Sequence, residues 1–445
     1  MIFLRALVAL LALTGSARAD MMDTLLLLNA KTAGILPGAA VDLNFATGAI
    51  YPANAFIVET RNSIATEDDL TGTWSTFPAL RFRRTNKGHL GSEEVRTNSV
   101  PNSTAAGGGV GVTPTGWSIT GGNGVTCSSV GVGVESGINY DLIQCAGTTT
   151  AITNLGAVFN TAYTSAPAAQ NQVWSISAFS KLVSGSMGSP SIPLSLNINE
   201  LNSSGTLVTQ DGGSNLSFGT NALGTQRTSG SFLLTGATTA YAQLFMNMQY
   251  AASTAVNFTI EIGWPQLEKN PNATTTAQGF ATSPIPTSSG AVTRAADNSS
   301  MILPAGACST AGCSLWATAT FEAPTAFPNG QFVGVVSDGT ANNEVNLFRA
   351  ATSGFATGQS YKAASGVQVV VSGSLIGPAS TAKLAAYVTA ALLSVAYNNG
   401  TPASTASSGV PPVTQIAIGS AMNGAAPCNC YVSRIAVAPI SLLGD

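Results

Sequence analysis

Short segments in which apolar and polar residues strictly alternate recur along this chain, the period of a strand with one face buried. Leu194, Leu196 and Ile198 alternate with Ser195, Asn197 and Asn199. Leu244, Met246 and Met248 oppose Phe245, Asn247 and Gln249, and Phe258, Ile260, Ile262 and Trp264 oppose Thr259 and Glu261. Trp174 shares parity with Ile176 and Ala178, which marks it as core. Gly, Asn and Ser turns such as 202–205 and 211–214 separate these runs. The spacing predicts an antiparallel, jelly-roll-like sandwich over 100–267.

A second series follows. Leu315, Ala317, Ala319 and Phe321 open it, with further strands expected over 332–336, 345–348, 367–371, 415–419 and 431–438. The run 383–397 has the length of a helix, but Asn398-Asn399-Gly400 ends a stretch rich in Val, Tyr and Leu, so a hairpin of 383–388 and 392–397 is expected. These strands define a second sandwich over 301–445. Between the two series, Pro265, Pro271, Pro284, Pro286 and Pro304 remove donors and fix φ, so 268–300 reads as a proline-rich linker. Residues 20–99 carry strand signals over 41–45 and 55–60 but no compact pattern, an irregular or β N-terminal region. The fold class is therefore all-β: two antiparallel β-sandwiches in tandem after that region.

A chain of 445 residues suits two or three domains. Only 8% of residues are charged, which favours sandwiches whose outer positions are Ser, Thr, Asn and Gln over helices with charged faces. Mean hydropathy is +0.27, yet past the first residues no apolar run of about 18 occurs, so no spanning helix is expected. A net charge of −3 gives no general attraction to nucleic acid. Neutral, hydroxyl-rich partners such as glycans fit this surface better.

Residues 1–19 have the parts of a signal peptide: Arg5, an apolar 6–13, then Ala17-Arg18-Ala19 before Asp20. Met21 and Met22 follow at once and offer a leaderless start. The first reading implies an exported protein, in the periplasm, at the cell surface or outside the cell.

No catalytic constellation is visible. His89 is alone, and Glu200, Glu261 and Glu322 are separated by whole strands with no paired motif. The loop 338–344 reads as a hairpin turn opened by Asp338-Gly339; it lacks the carboxylate density of a calcium site. No cofactor or metal is expected. Arg81, Arg83, Arg84, Lys87 and Arg96 crowd one stretch; a solvated face balanced by Glu93 and Glu94 fits them better than a patch for an acidic partner. Six cysteines fall as Cys127 and Cys145 in the first sandwich and Cys308, Cys313, Cys428 and Cys430 in the second, an even count in each. The spacing of the last four does not match a zinc ribbon.

Several short motifs carry a resemblance. They are Asp42-Leu43-Asn44-Phe45, Thr60-Arg61-Asn62-Ser63, the run Glu93 to Ser99, Gln266-Leu267-Glu268, Ala281-Thr282-Ser283-Pro284-Ile285 and Thr293-Arg294-Ala295-Ala296-Asp297. With a Gly116-Trp117 pair, Gly137-Ile138-Asn139-Tyr140 and a terminal strand before Pro439-Ile440-Ser441-Leu442, the chain resembles bacteriophage and prophage tail-fibre or head-spike proteins. The resemblance implies a carbohydrate-binding-type sandwich followed by a laminin-G/concanavalin A-like one, a surface polysaccharide as ligand, and a homo-oligomer. It also implies that a start at Met21 or Met22 gives a virion component. In a laminin-G type sandwich the first and last strands lie side by side, which implies a disulfide from Cys308 or Cys313 to Cys428 or Cys430. A sugar site needs an aromatic face and amides, for which Trp117, Asn139 and Tyr140 are the candidates, with core packing the competing role of both aromatics. The function expected is non-catalytic adhesion or receptor binding; the alternatives are a fibre or matrix protein without ligand, or a polysaccharide depolymerase.

Overall fold

The alternating segments are strands, and each buries the apolar set that its parity marks. The computed structural model describes residues 35–444 apart from 53–56, 89, 217, 220, 352, 363–365 and 425. The signal-peptide reading of 1–19 and His89 lie outside the described residues. Among the described residues there are strands and four short 3-10 turns but no α-helix, so the chain is all-β.

The first sandwich packs two five-stranded antiparallel sheets. Its front sheet runs in the order Arg227–Leu233, Val173–Ser186, Ala255–Asn270, Ile138–Thr148, Val125–Glu135. Its back sheet runs Leu207–Asn215, Ile192–Leu201, Tyr241–Tyr250, Thr153–Val158, Ser118–Thr120. Leu196, Ile198, Leu244, Met246, Phe258, Ile260 and Trp174 meet between them in one core. Trp264 does not join it. At φ 42° it breaks the alternation and turns to the outer side of the front sheet, where it packs with Ile138, Phe179 and Leu223. Cys127 and Cys145 sit directly opposite on paired strands and form a disulfide.

The second sandwich packs an eight-stranded sheet against a seven-stranded one. Residues upstream of the first sandwich complete both. Val41–Asn44 pairs with Cys430–Ala438, Ile57–Glu59 pairs with Ser299–Ile302, and Leu90–Ser92 also pairs with Cys430–Ala438. Val41, Leu43, Phe45 and Ile57 share one core with Leu315, Val345 and Val437. The first sandwich is thus inserted into the second, whose sheets include the upstream strands Val41–Asn44, Ile57–Glu59 and Leu90–Ser92, while the hairpin of Ala65–Asp68 and Trp74–Phe77 is a separate two-stranded sheet.

The expected disulfide between the ends of the second sandwich does not form; Cys308 pairs with Cys313 and Cys428 with Cys430. The strands Cys313–Phe321 and Cys430–Ala438 do lie side by side, but they run antiparallel, and Cys430 stands opposite Phe321. That is the far end of the strand from Cys313, about 26 Å away at the rise of an extended chain.

An insertion needs two crossings, and they pair with each other. Arg96–Asn98 and Val292–Arg294 form a two-stranded ladder with Arg294 opposite Arg96. Around this neck lies a buried ionic cluster. Arg83 donates to Glu93 at 2.6 Å and to Asp297 at 2.5 Å; Arg61 reaches Asp297 at 2.7 Å and Arg294 lies 2.8 Å from Glu93. Arg61, Arg83 and Arg294 are each at most 1% exposed. The basic stretch expected to be a solvated face is therefore internal at Arg83 and Arg96, the latter paired with Glu94. The proline-rich stretch is equally packed: Ser283 N and Oγ both donate to Glu93, Ile285 N donates to Gln266, and Thr287 N to Ser103.

Burial alone raises the Glu93 carboxyl, but Arg294, Arg83 and the Ser283 donors outweigh it and bring it down to about 2. A carboxylate held this low stabilises the fold above its unfolded value of about 4.3, and that stabilisation is lost as pH falls toward about 2. In an acid titration followed by circular dichroism, Glu93→Gln is expected to lower stability at pH 7 and to flatten the loss between about pH 4 and about pH 2. Arg83→Ala leaves Glu93 and Asp297 buried without their shared cation, and urea unfolding is expected to show a loss of about 3–5 kcal/mol; a loss under about 1 kcal/mol would mean that the cluster is not what holds the neck.

Candidate functional site

The Ile138–Thr148 strand crosses the front sheet next to its edge, and alternation sends neighbouring side chains to opposite sides. This separates the three residues proposed from the sequence. Trp117 lies in the sandwich core, 6% exposed, edge-on to Phe159 at 4.8 Å, with its indole N–H donating to Asn102 O at 2.6 Å. Its role is packing. Asn139 is half-buried on the side of Asp141, which is fully buried and whose carboxyl burial pushes up to about 6. Tyr140 alone of the three takes the outer side, half-buried, packed against the Trp264 cluster.

The residues around Tyr140 come from four strands. It stands opposite Gly133, where an added Cβ would lie 2.4 Å from the phenol oxygen, so glycine leaves the neighbouring strand open for the ring to lie across. Glu135, Lys181 and Glu261 complete the group. Lys181 Nζ lies 2.6 Å from Glu135 Oε2 and 4.0 Å from Glu261 Oε2, and the other Glu135 oxygen accepts from Leu223 N at 2.7 Å. Beside them stands an aromatic wall: Trp74 is edge-on to Phe179 at 5.6 Å and to Trp264 at 6.4 Å, its N–H donating to Gly224 O. Trp74 belongs to the Ala65–Asp68 and Trp74–Phe77 hairpin, delivered from the part of the chain upstream of the neck.

The electrostatics of the group split its two carboxylates. Burial and the nearby Glu135 charge raise Glu261; for Glu135 the burial penalty is outweighed by Lys181 and the Leu223 N–H, and it is lowered. Burial and the two carboxylates raise the Tyr140 phenol, so it stays a neutral donor. Lys181 is raised, chiefly by its bond to Glu135. A half-open phenol ring with donors and acceptors at its rim can stack on the C–H face of a sugar and bond its hydroxyls. Among the described residues no group of three or more His, Cys, Asp or Glu could hold a metal ion. Sequence reasoning missed Glu135, Lys181 and Trp74, which lie on different strands; the signal present was their outward parity beside Tyr140.

No family model matches this chain, and no curated protein matches it. Solved structures give distant likenesses. The chain is similar to the receptor-binding domain of botulinum neurotoxin mosaic serotype C/D, at 10% identity over 33% of this chain and 37% of that one, with a TM-score of 0.26. It is similar to the CBM22-1 xylan-binding domain of Paenibacillus barcinonensis Xyn10C, at 19% identity over 39% and 92%, with a TM-score of 0.22. It is also similar to the tail fibre protein gp63.1 of an E. coli phage, at 12% identity over 72% and 40%, with a TM-score of 0.20. The chain thus spans less than half the length of the toxin domain and of the fibre protein.

Removal of Trp117 is expected to act on stability. Thermal melts of Trp117→Ala should show a loss of about 3–5 kcal/mol from the cavity and the orphaned Asn102 carbonyl; an unchanged melting temperature would show that the indole does not support the core.

Proposed function

We propose that this chain is a non-catalytic adhesion or receptor-binding protein of the fibre or spike kind, recognising surface polysaccharide through the outer side of its front sheet. The observation that carries the reading is Tyr140, a half-buried ring on the outer side of the sheet with Glu135, Lys181 and Glu261 at its rim. Hydroxyl- and amide-rich strands with few charges suit a neutral, heavily hydroxylated ligand. Each contact is weak, and several copies on one particle raise avidity without new contacts. The placement is a virion or an exported surface, according to which start is used. The convergence of the resemblance motifs on the neck supports the fibre reading, since Arg61, Glu93, Ser283, Arg294 and Asp297 all belong to them.

One observation favours a second reading. Glu135 lowered and Glu261 raised is the split expected of a base and an acid, which a polysaccharide depolymerase requires. Lys181 and Leu223 N hold Glu135 in a structural role, and Glu261 is 5% exposed, so binding is the better account.

Retention on immobilised host surface polysaccharide, with reducing ends assayed in the same samples, separates the readings. The wild type should be retained with no release of reducing ends, and Tyr140→Ala should weaken retention by tenfold or more, about 1.4 kcal/mol. Release that disappears in Glu261→Gln would establish the depolymerase instead.

A further inference from the structure

The second sandwich has an outward side that the site above does not use. In the Asn343–Arg349 strand, Val345, Leu347 and Arg349 are buried inward, so Glu344, Asn346 and Phe348 face out. Cross-strand pairing extends the row: Tyr361 lies opposite Glu344, Gln359 opposite Asn346 and Thr357 opposite Phe348. On the other flank Phe332 pairs with Phe348 and stacks on it, with centroids 4.8 Å apart and planes at 20°. The face therefore has aromatic rings at two ends, Phe332 with Phe348 and Tyr361, and an amide and carboxylate floor between. Four residues of strand separate the ends, about 13 Å.

The floor is incompletely satisfied. Asn346 Nδ2 donates to Glu344 Oε1 at 2.9 Å and to Gln359 Oε1 at 3.3 Å. Among the described residues, Asn346 Oδ1, on a residue with 0% exposure, has no hydrogen-bond partner. A buried acceptor without a donor costs about 1–3 kcal/mol, and a fold free to choose an apolar residue here would avoid it. The longer bond to Gln359 is the one most readily exchanged for an incoming hydroxyl.

We propose that this face is a second carbohydrate-binding site, separate from Tyr140, that takes a neutral oligosaccharide of a few units. One ligand hydroxyl donates to Asn346 Oδ1, and the oxygen of a neighbouring hydroxyl takes the place of Gln359 Oε1 as acceptor for Asn346 Nδ2; the freed Gln359 amide and Glu344 bond further hydroxyls. Tyr361 and the Phe332–Phe348 pair cover C–H faces at either end. Positions 332, 344, 346, 348, 359 and 361 hold no Lys or Arg, so nothing in the row selects for an anionic sugar. This inference rests on the glycan-binding reading of the chain but not on the Tyr140 site.

The test is affinity electrophoresis of the full chain in gels containing dextran, galactomannan, xylan or, as the anionic control, alginate. Tyr361→Ala and Gln359→Ala are expected to weaken retardation by at least one neutral polysaccharide by about tenfold while leaving melting temperature unchanged. Asn346→Leu should abolish the same retardation without lowering the melting temperature, since it removes the orphaned acceptor. Tyr140→Ala should retain this component. Wild-type retardation that survives Tyr361→Ala and Gln359→Ala but is lost in Tyr140→Ala overturns the second site and leaves the first. No retardation of the wild type by any of the four overturns both, and retardation by alginate alone overturns the neutral ligand.

Discussion

The structure depends on the ionic cluster at the neck, where Arg83 is shared by Glu93 and Asp297 and joined by Arg61 and Arg294. A sandwich inserted into another is covalently joined by two chain crossings only, and a two-stranded ladder is marginal by itself. Here each crossing segment brings a buried charge with a distant partner: Glu93 just before the incoming strand, Arg294 and Asp297 at and after the end of the outgoing one, and Arg61 and Arg83 from upstream. Taking these groups out of water is costly, and only a complete set of partners compensates for it. The cluster forms only when all three segments are in place, which makes the neck a point of specificity. In a chain with few charges, their concentration here is the clearest sign of what the fold must secure.

The faces away from the neck follow the opposite rule. Outward positions of both sandwiches carry hydroxyls and amides, and ionised groups are sparse there, apart from small groups such as Glu135, Lys181 and Glu261. An antiparallel sheet with one side packed needs only polarity on the other side, and Ser, Thr and Asn supply that. Aromatic rings stand among them at Tyr140 and along Phe332, Phe348 and Tyr361, the two rows proposed above as binding sites. Both rows are borne by strands of a packed sheet, so their spacing is fixed before any ligand arrives.

Strand existence was legible in the sequence because it is a local property. Leu194 to Ile198 and Leu315 to Phe321 bury the residues that their alternation marks, and the hairpin over 383–397 follows from the Asn398-Asn399-Gly400 stop that ends it and from its Val, Tyr and Leu content. Pairing was not legible. Val41 opposite Val437 joins segments nearly at the two ends of the described chain, and no local pattern announces it. The same distance hid the role of Arg83, whose partner Asp297 lies far along the sequence, so a local reading gave it the near neighbours Glu93 and Glu94 and a place in solvent. Trp264 was misplaced by one positive φ that alternation cannot foresee. The cysteine pairing failed for a geometric reason, because adjacent antiparallel strands bring opposite ends together. Of the candidate residues, Tyr140 was named from its strand motif and lies on the outer side of its sheet, Trp117 is buried in the core, and the Glu344-x-Asn346-x-Phe348 parity of the second sandwich was not singled out.

The central claim is that the neck makes host and inserted sandwich unfold as one. Differential scanning calorimetry of the full chain at neutral pH tests it directly. The account predicts a single transition whose calorimetric and van 't Hoff enthalpies agree. Two resolved transitions, each with the enthalpy of one sandwich, would contradict it.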